Sequence, residues 1–273
     1  MNEKISLAGD LGSGKSTVSK ILIPRLGAEY YSTGAIVRSI AEERGMTVVE
    51  LNKYMESHPE IDHEIDDGVA KLAELEKPLI IDSRMAWHFT KGTFKVYLST
   101  DIETSALRIM GANRKGEHSA SLEATVADTK ARRESEIKRY SEQYGVNIKD
   151  LSNYDLIVDT TYASPEEIAE CIISAFECWC EDKSYKCAFI SPERLYYPDD
   201  EADGEKIAEY SALIEGGEVN ETVSVAEKDG DFYILSGAEL ALARAFNMAT
   251  FIPATLTKGE IDEKQFVRMK NSI

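Results

Sequence analysis

The chain has 273 residues, of which 43% are hydrophobic and 29% charged, and a formal net charge of −18. That length holds one large or two modest domains. The charge argues against DNA or RNA as partner, and with neither an apolar run long enough to span a membrane nor a signal-like N-terminus, the expected location is cytoplasmic.

In chain order, residues 5–8 (Ile-Ser-Leu-Ala) read as a short buried strand. Gly9-Asp10-Leu11-Gly12-Ser13-Gly14-Lys15-Ser16-Thr17 follows and fits G-x-x-x-x-G-K-[ST], the phosphate-binding P-loop. The chemistry explains the pattern. Gly9, Gly12 and Gly14, with Ser13, let backbone N–H groups turn inward around a triphosphate. Lys15 reaches the β- and γ-phosphates, the Ser16 hydroxyl suits Mg²⁺, and Thr17 opens a helix whose N-terminus favours anions. Further strands are expected at 29–32, 78–82, 94–98 and 155–159, with helical patterns between them. This alternation predicts an α/β fold: a parallel sheet covered by helices, with ligands at the carboxyl ends of the strands. Ser164, Pro165 and Glu167 mark a helix start as N-cap, first helical residue and capping-box partner. Ile168, Cys171, Ile172, Ala175, Phe176 and Trp179 continue it as a core-facing stripe. Cys171, Cys178, Cys180 and Cys187 lack the pairing of a zinc site and read as reduced thiols; His63-Glu64 lacks the second histidine of a metal-binding helix.

A charged stretch, Glu181 to Lys186, breaks the pattern and suggests a domain boundary between residues 1–182 and 188–273. Beyond it a small α+β unit is expected. It has strands at 188–190, 223–225, 232–235 and 251–256, and helices at 204–214 and 238–246.

A P-loop alone does not choose between kinase, ATPase and switch. Transfer to a phosphorylated acceptor needs a second anion site, for which arginine is suited by its permanent charge and forked donors. Arg38, Arg84, Arg132 and Arg139 follow predicted strands or lie on the next helix, and read together as such a pocket. Arg108 and Arg114 flank a polar segment where a lid is expected. Arg133 and Lys138 read as a solvated helix face.

Here the chain resembles the cytidylate kinase family, in its archaeal-type branch, over residues 1–180. The carrying segments are the P-loop, Ser32-Thr33-Gly34 through Arg38, residues 59–66, Ile81-Asp82-Ser83-Arg84, Arg132 through Tyr140, Tyr144-Gly145-Val146-Asn147 and residues 154–160. The resemblance implies a P-loop kinase with a five-stranded parallel sheet flanked by helices, and ATP and Mg²⁺ as cofactors. It implies a nucleoside monophosphate substrate, CMP or dCMP, bound by Ser32, Arg38, Arg84, Arg132, Glu136 and Arg139. Lys15, Arg108 and Arg132 would be catalytic, and Ser16 with Asp82 would serve the metal. Two departures are Ser32, where many bacterial members have aspartate, and Asp82-Ser83-Arg84, where the archaeal branch has Glu-Gly-Arg.

Residues 188–256 resemble the ParB/sulfiredoxin-like module through residues 190–195, 205–210, 214–217, 231–237 and 252–256. Active members carry paired arginines soon after the glycine matching Gly237; here the stretch is Gly237-Ala238-Glu239-Leu240-Ala241-Leu242-Ala243-Arg244. Residues 188–273 hold eight Lys and Arg against seventeen Asp and Glu. Nucleotide hydrolysis and DNA binding are therefore not expected of this unit, leaving regulation, homodimer formation or a protein partner. The competing readings are a kinase for another small metabolite and a catalytically weak nucleotide sensor.

Overall fold

Short apolar and aromatic runs fold as strands, and the first five end in a small or acidic residue: Gly9, Ser32, Asp82, Ser99 and Asp159. The computed structural model describes residues 3–112, 121–198 and 202–269. β1 (Lys4–Gly9) leads through the glycine-rich loop into α1 (Lys15–Leu26). Then come β2 (Glu29–Ser32), α2 (Thr33–Glu43), α3 (Val48–Met55), α4 (Pro59–Lys71), β3 (Leu79–Asp82), α5 (Ala86–Phe89) and β4 (Phe94–Ser99). α6 (Ile102–Gly111), α7 (Leu122–Tyr144), β5 (Leu156–Asp159) and α8 (Pro165–Glu181) complete this half. Side chains fix several helix starts: Asp101 accepts from Thr104 N, and Ser164 and Glu167 form the expected capping box. Arg114 lies outside the described residues.

The five strands pair in parallel in the order β2-β3-β1-β4-β5. Register sets Ser32 against Asp82, Gly9 against Leu98 and Ser99 against Asp159. Gly9, Ser32, Asp82 and Asp159 therefore emerge along one edge, where a parallel sheet gathers its ligands.

The sheet does not stop at five strands, as the sequence led one to expect. It has eleven. A short turn at 182–186, closed by Tyr185 N donating to Asp182 O, leads from α8 into β6 (Cys187–Ile190), which adds parallel to β5. β7 (Leu195–Pro198), α9 (Gly204–Glu215), β8 (Val223–Lys228), β9 (Asp231–Ser236), α10 (Ala238–Phe246), β10 (Ile252–Leu256) and β11 (Phe266–Arg268) follow. β10 pairs antiparallel with β6 and carries the sheet outward through β8, β9, β7 and β11. The physical reason is the outer edge of β5: left bare, it would present unpaired N–H and C=O groups beside apolar side chains. Side chains from both halves form one core. Trp87, Tyr97, Leu151, Tyr154 and Ile157 cluster with Ala188, Ile190, Val225, Phe232 and Ile234.

Candidate active site

The P-loop takes its shape from glycines at positions other residues could not occupy. Gly9 has φ 146°, and a Cβ there would strike the Leu98 carbonyl; Gly12 has φ 71°, and a Cβ would strike the Ser105 backbone. Gly14, at φ 83°, is the N-cap of α1. Ser13 Oγ donates to Asp10 O at 2.8 Å, and Ser105 Oγ on α6 donates to Leu11 O, so the loop is braced before any ligand is considered. Lys15 Nζ lies over the loop, 3.0 Å from Asp10 O and 3.2 Å from Gly9 O. Burial, helped by repulsion from Arg84, pushes the Lys15 ammonium down to about 7.

Cavities open on both sides of this loop. One, of about 200 Å³, is lined by Lys15, Ser16, Ser32, Arg38, Asp82, Arg84, Arg132, Glu136 and Arg139, with Gly12, Ser13 and Gly14. The sheet edge and α7 thus bring together nearly all the residues singled out from the sequence. The other, of about 410 Å³, lies against Thr17 and Val18 and is walled by Arg108, Ile109, Ala163, Pro165 and Ile168. Arg108 is on this second side, apart from the other arginines, and donates to Thr160 Oγ1 at 3.1 Å and Thr160 O at 2.6 Å.

Within the first cavity the charges are paired. Glu136, buried, accepts from Arg84 Nε at 2.8 Å and from Arg132 Nε at 3.1 Å. Burial alone would raise its carboxyl; Arg84 and Arg132 outweigh it and bring Glu136 down to about 2. The triad therefore carries a net positive charge facing Lys15. Arg139 is held differently, by Asp62 Oδ2 at 2.6 Å and Asn52 Oδ1 at 2.8 Å. Burial lifts the Asp62 carboxyl despite this arginine. Among the described residues, Arg139 Nε and Gln143 Oε1 are buried without a hydrogen-bond partner. Asp82 Oδ2 accepts from Tyr30 Oη at 2.8 Å.

Sequence reasoning missed a group behind the loop. Asp10, 5% exposed, accepts at Oδ1 from Tyr97 Oη (2.9 Å) and Lys149 Nζ (2.8 Å), and at Oδ2 from Thr100 N (3.1 Å). Arg133 Nη2 lies 2.9 Å from the same Oδ1. This corrects the solvated-face reading of Arg133; Lys138, which reaches Glu56 at 2.9 Å with half its side chain exposed, keeps it. Burial works against ionisation of Asp10, yet Lys149 and Arg133 hold its carboxyl well below the usual carboxylate range. Asn52 and Asp62 were likewise not assigned, although residues 59–66 carried part of the family likeness.

A family model described as the cytidylate kinase-like family matches residues 4–162. The chain is 36% identical to the cytidylate kinase of Archaeoglobus fulgidus over 175 residues, 64% of this chain and 94% of that protein. It is 38% identical to the cytidylate kinase of Sulfurisphaera tokodaii over 174 residues, 63% of this chain and 93% of that protein. A crystal structure of sulfiredoxin from Arabidopsis thaliana matches 27% of this chain and 85% of its own length, at 22% identity and a TM-score of 0.25. On the family match and these near full-length relatives, the chain belongs to the cytidylate kinase-like family and is an enzyme of the nucleoside-monophosphate kinase class.

Proposed function

We propose that this enzyme moves the γ-phosphoryl group of ATP to CMP or dCMP. The observation that carries the reading is the 200 Å³ cavity. It sets the phosphate-binding Lys15 against a net positive Arg84–Glu136–Arg132 triad, with a second polar group, Asn52, Asp62 and Arg139, in the same wall. An acceptor monophosphate suits the triad, because forked guanidinium donors match phosphate oxygens. Arg38, in the same wall, would add a further cation. Cytosine offers an amine donor, a ring nitrogen acceptor and a carbonyl acceptor on its pairing edge; a carboxylate such as Asp62 accepts from the amine and an arginine such as Arg139 donates to the ring nitrogen or carbonyl. Uracil, with a carbonyl in place of the amine, would face Asp62 with lone pairs.

ATP fits the loop and its far side. The backbone cradle and Lys15 suit a triphosphate, and the 410 Å³ cavity is of the size that takes a nucleoside. Ser16 and Asp82 share the acceptor-side wall, which suits Mg²⁺, an ion that takes one or two protein groups and completes its shell with phosphate oxygens and water. When bound, the ion supplies neutralisation of the phosphate oxygens. Lys15 and Arg132 stabilise charge on the equatorial oxygens of the transferring group, and Arg108 holds the donor side. No protein base is required, since the attacking phosphate oxygen is already anionic.

The C-terminal unit, residues 188–273, is read as a ParB/sulfiredoxin-like module without nucleotide chemistry of its own. Arg244, alone in its stretch, is turned to the carbonyls of Val219 and Glu221, and Glu239 stands in the first turn of α10. The test of the whole reading is ADP release from ATP and Mg²⁺ with CMP, dCMP, UMP, AMP, GMP and small hydroxylated metabolites. CMP or dCMP is expected to exceed UMP by about tenfold or more in kcat/KM. Preference for a non-nucleotide acceptor, or ATP binding without transfer, would overturn it.

A further inference from the structure

We infer that Arg194, which lies beyond the family-matched region, is a positioning residue for the donor nucleotide, acting through Thr161 on Arg108. The inference rests on the reading of the 410 Å³ cavity as the ATP site. The segment Asp159-Thr160-Thr161 leaves the end of β5 and runs on to Ala163 and Pro165, which line that cavity. Two arginines grip it, one from each half of the chain. Arg108 donates to Thr160 Oγ1, to Thr160 O and, at 3.3 Å, to Thr161 O. Arg194, 2% exposed, donates through Nη1 to Thr161 Oγ1 at 3.1 Å and through Nη2 to Gly230 O in the β8–β9 turn.

The Thr161 hydroxyl is the node between them. It donates to Asp159 Oδ1 at 2.6 Å and accepts from Asp101 N at 3.3 Å as well as from Arg194. One donor and two acceptor sites are all a hydroxyl has, so each is used. Asp101 is the N-cap of α6, the helix that carries Arg108 and, through Ser105, braces the P-loop. These three Arg108 bonds therefore end on a two-residue stretch that this hydroxyl helps to anchor. The plainer role for Arg194 is a buried counter-ion to Asp159, whose Oδ1 is 3.9 Å from Nη1. The two roles differ in what they move. A counter-ion lost lowers stability and harms both substrates alike, whereas a displaced Thr161 shifts Arg108 and the donor wall and leaves the acceptor cavity on the other side of the loop untouched.

The experiment compares full-length wild type with Thr161→Val, Thr161→Ser and Arg194→Lys. It measures Mg-ATP affinity by calorimetry, and KM for ATP and for the acceptor by ADP release. Thr161→Val and Arg194→Lys are each expected to weaken ATP by about tenfold, the worth of one hydrogen bond to a charged group, with acceptor KM within about twofold of wild type. Thr161→Ser, which keeps the hydroxyl, is expected to bind ATP as wild type does. Should Thr161→Val fail to fold, the Arg194→Lys and Thr161→Ser pair carries the same comparison. Unchanged ATP affinity in the hydroxyl-less and lysine variants, or parallel weakening of both substrates, overturns the inference. A wild-type chain that binds ATP but phosphorylates no acceptor overturns the proposed function instead, and the calorimetric arm still decides the role of Arg194.

Discussion

A chain ending at Asp182 keeps the P-loop and every residue assigned to the two substrates, and on the sequence alone it is expected to remain active. That expectation held only for a soluble fragment, and the shared core argues against one. Cutting there bares the β5 edge and one side of a core in which Trp87, Tyr97, Leu151, Tyr154 and Ile157 are each at most 9% exposed. Fully exposing a side chain of this size costs roughly 1.5–3 kcal/mol. If the removed unit supplies about half of the burial of these five, the loss is roughly 4–7 kcal/mol, against a total stability of about 5–15 kcal/mol for an ordinary domain. Removal of Arg194 also leaves Asp159, fully buried, without its nearest cation. At about 2–4 °C per kcal/mol, the midpoint should fall by roughly 8–28 °C. Thermal melts followed by circular dichroism, together with ADP release at 25 and 37 °C, measure both consequences on the 1–182 fragment and the full chain. The fragment is expected to melt broadly and early and to lose activity at 37 °C. A cooperative transition within about 5 °C of the full chain, with wild-type turnover, would show that the shared core contributes little and that the argument from burial is wrong.

Lys15→Ala should fold normally and lose about 10²–10³ in turnover, the usual consequence of removing one preorganised charge contact; near-normal kcat in a folded variant would refute its role. Arg84→Ala and Arg132→Ala should each raise acceptor KM far more than ATP KM, and equal effects on both ligands would count against the acceptor-side assignment. ATP binding should take up a proton at pH 8 and weaken as pH rises. The Lys15 amine, at about 7 when buried and unliganded, is largely neutral there, and the triphosphate favours its charged form. Calorimetry in buffers of different ionisation enthalpy reads this directly, and zero proton uptake at pH 8 would contradict it. Asp66, raised to about 7 by burial and bonded to Tyr144 Oη at 3.0 Å, binds a proton in the folded state between about pH 4 and 7 that the unfolded chain releases. Its contribution to stability therefore falls as pH rises through that window. Asp66→Asn should stabilise by about 2 kcal/mol at pH 8 and by little at pH 4, as read from denaturant melts.

How much of this was legible beforehand follows from how local each feature is. The P-loop was, because its glycines answer to their own backbone angles and to neighbours that any β-strand–loop–helix would supply. The five parallel strands and the capping box at Ser164 were too, since residue type and spacing within a few positions decide them. The pairing of β6 with β5 and β10 was not, because it joins residues 188 and 254 across two helices, a strand and a hairpin, and no periodicity in either strand marks its partner. β7 and β11 are short, lie at the sheet's far edge and begin or end beside a proline or a polar turn, so they carry too few residues for an alternating pattern to register. The site divides in the same way. The acceptor-side arginines could be picked out by charge near strand ends, but of their partners only Glu136 was named, and for the substrate rather than as the counter-ion of Arg84 and Arg132. Arg133 looks like any arginine on a polar helix until Asp10, in a variable position of the P-loop motif, is seen to be buried beside it. Arg139 was picked as a phosphate ligand on family likeness, and what sets it apart is Asp62 and Asn52 on helices whose approach to α7 only the packing of Leu51, Met55 and Ile61 brings about. A buried charge is defined by the partner that makes it tolerable, and for Arg133 and Arg139 those partners lie about eighty or more residues away.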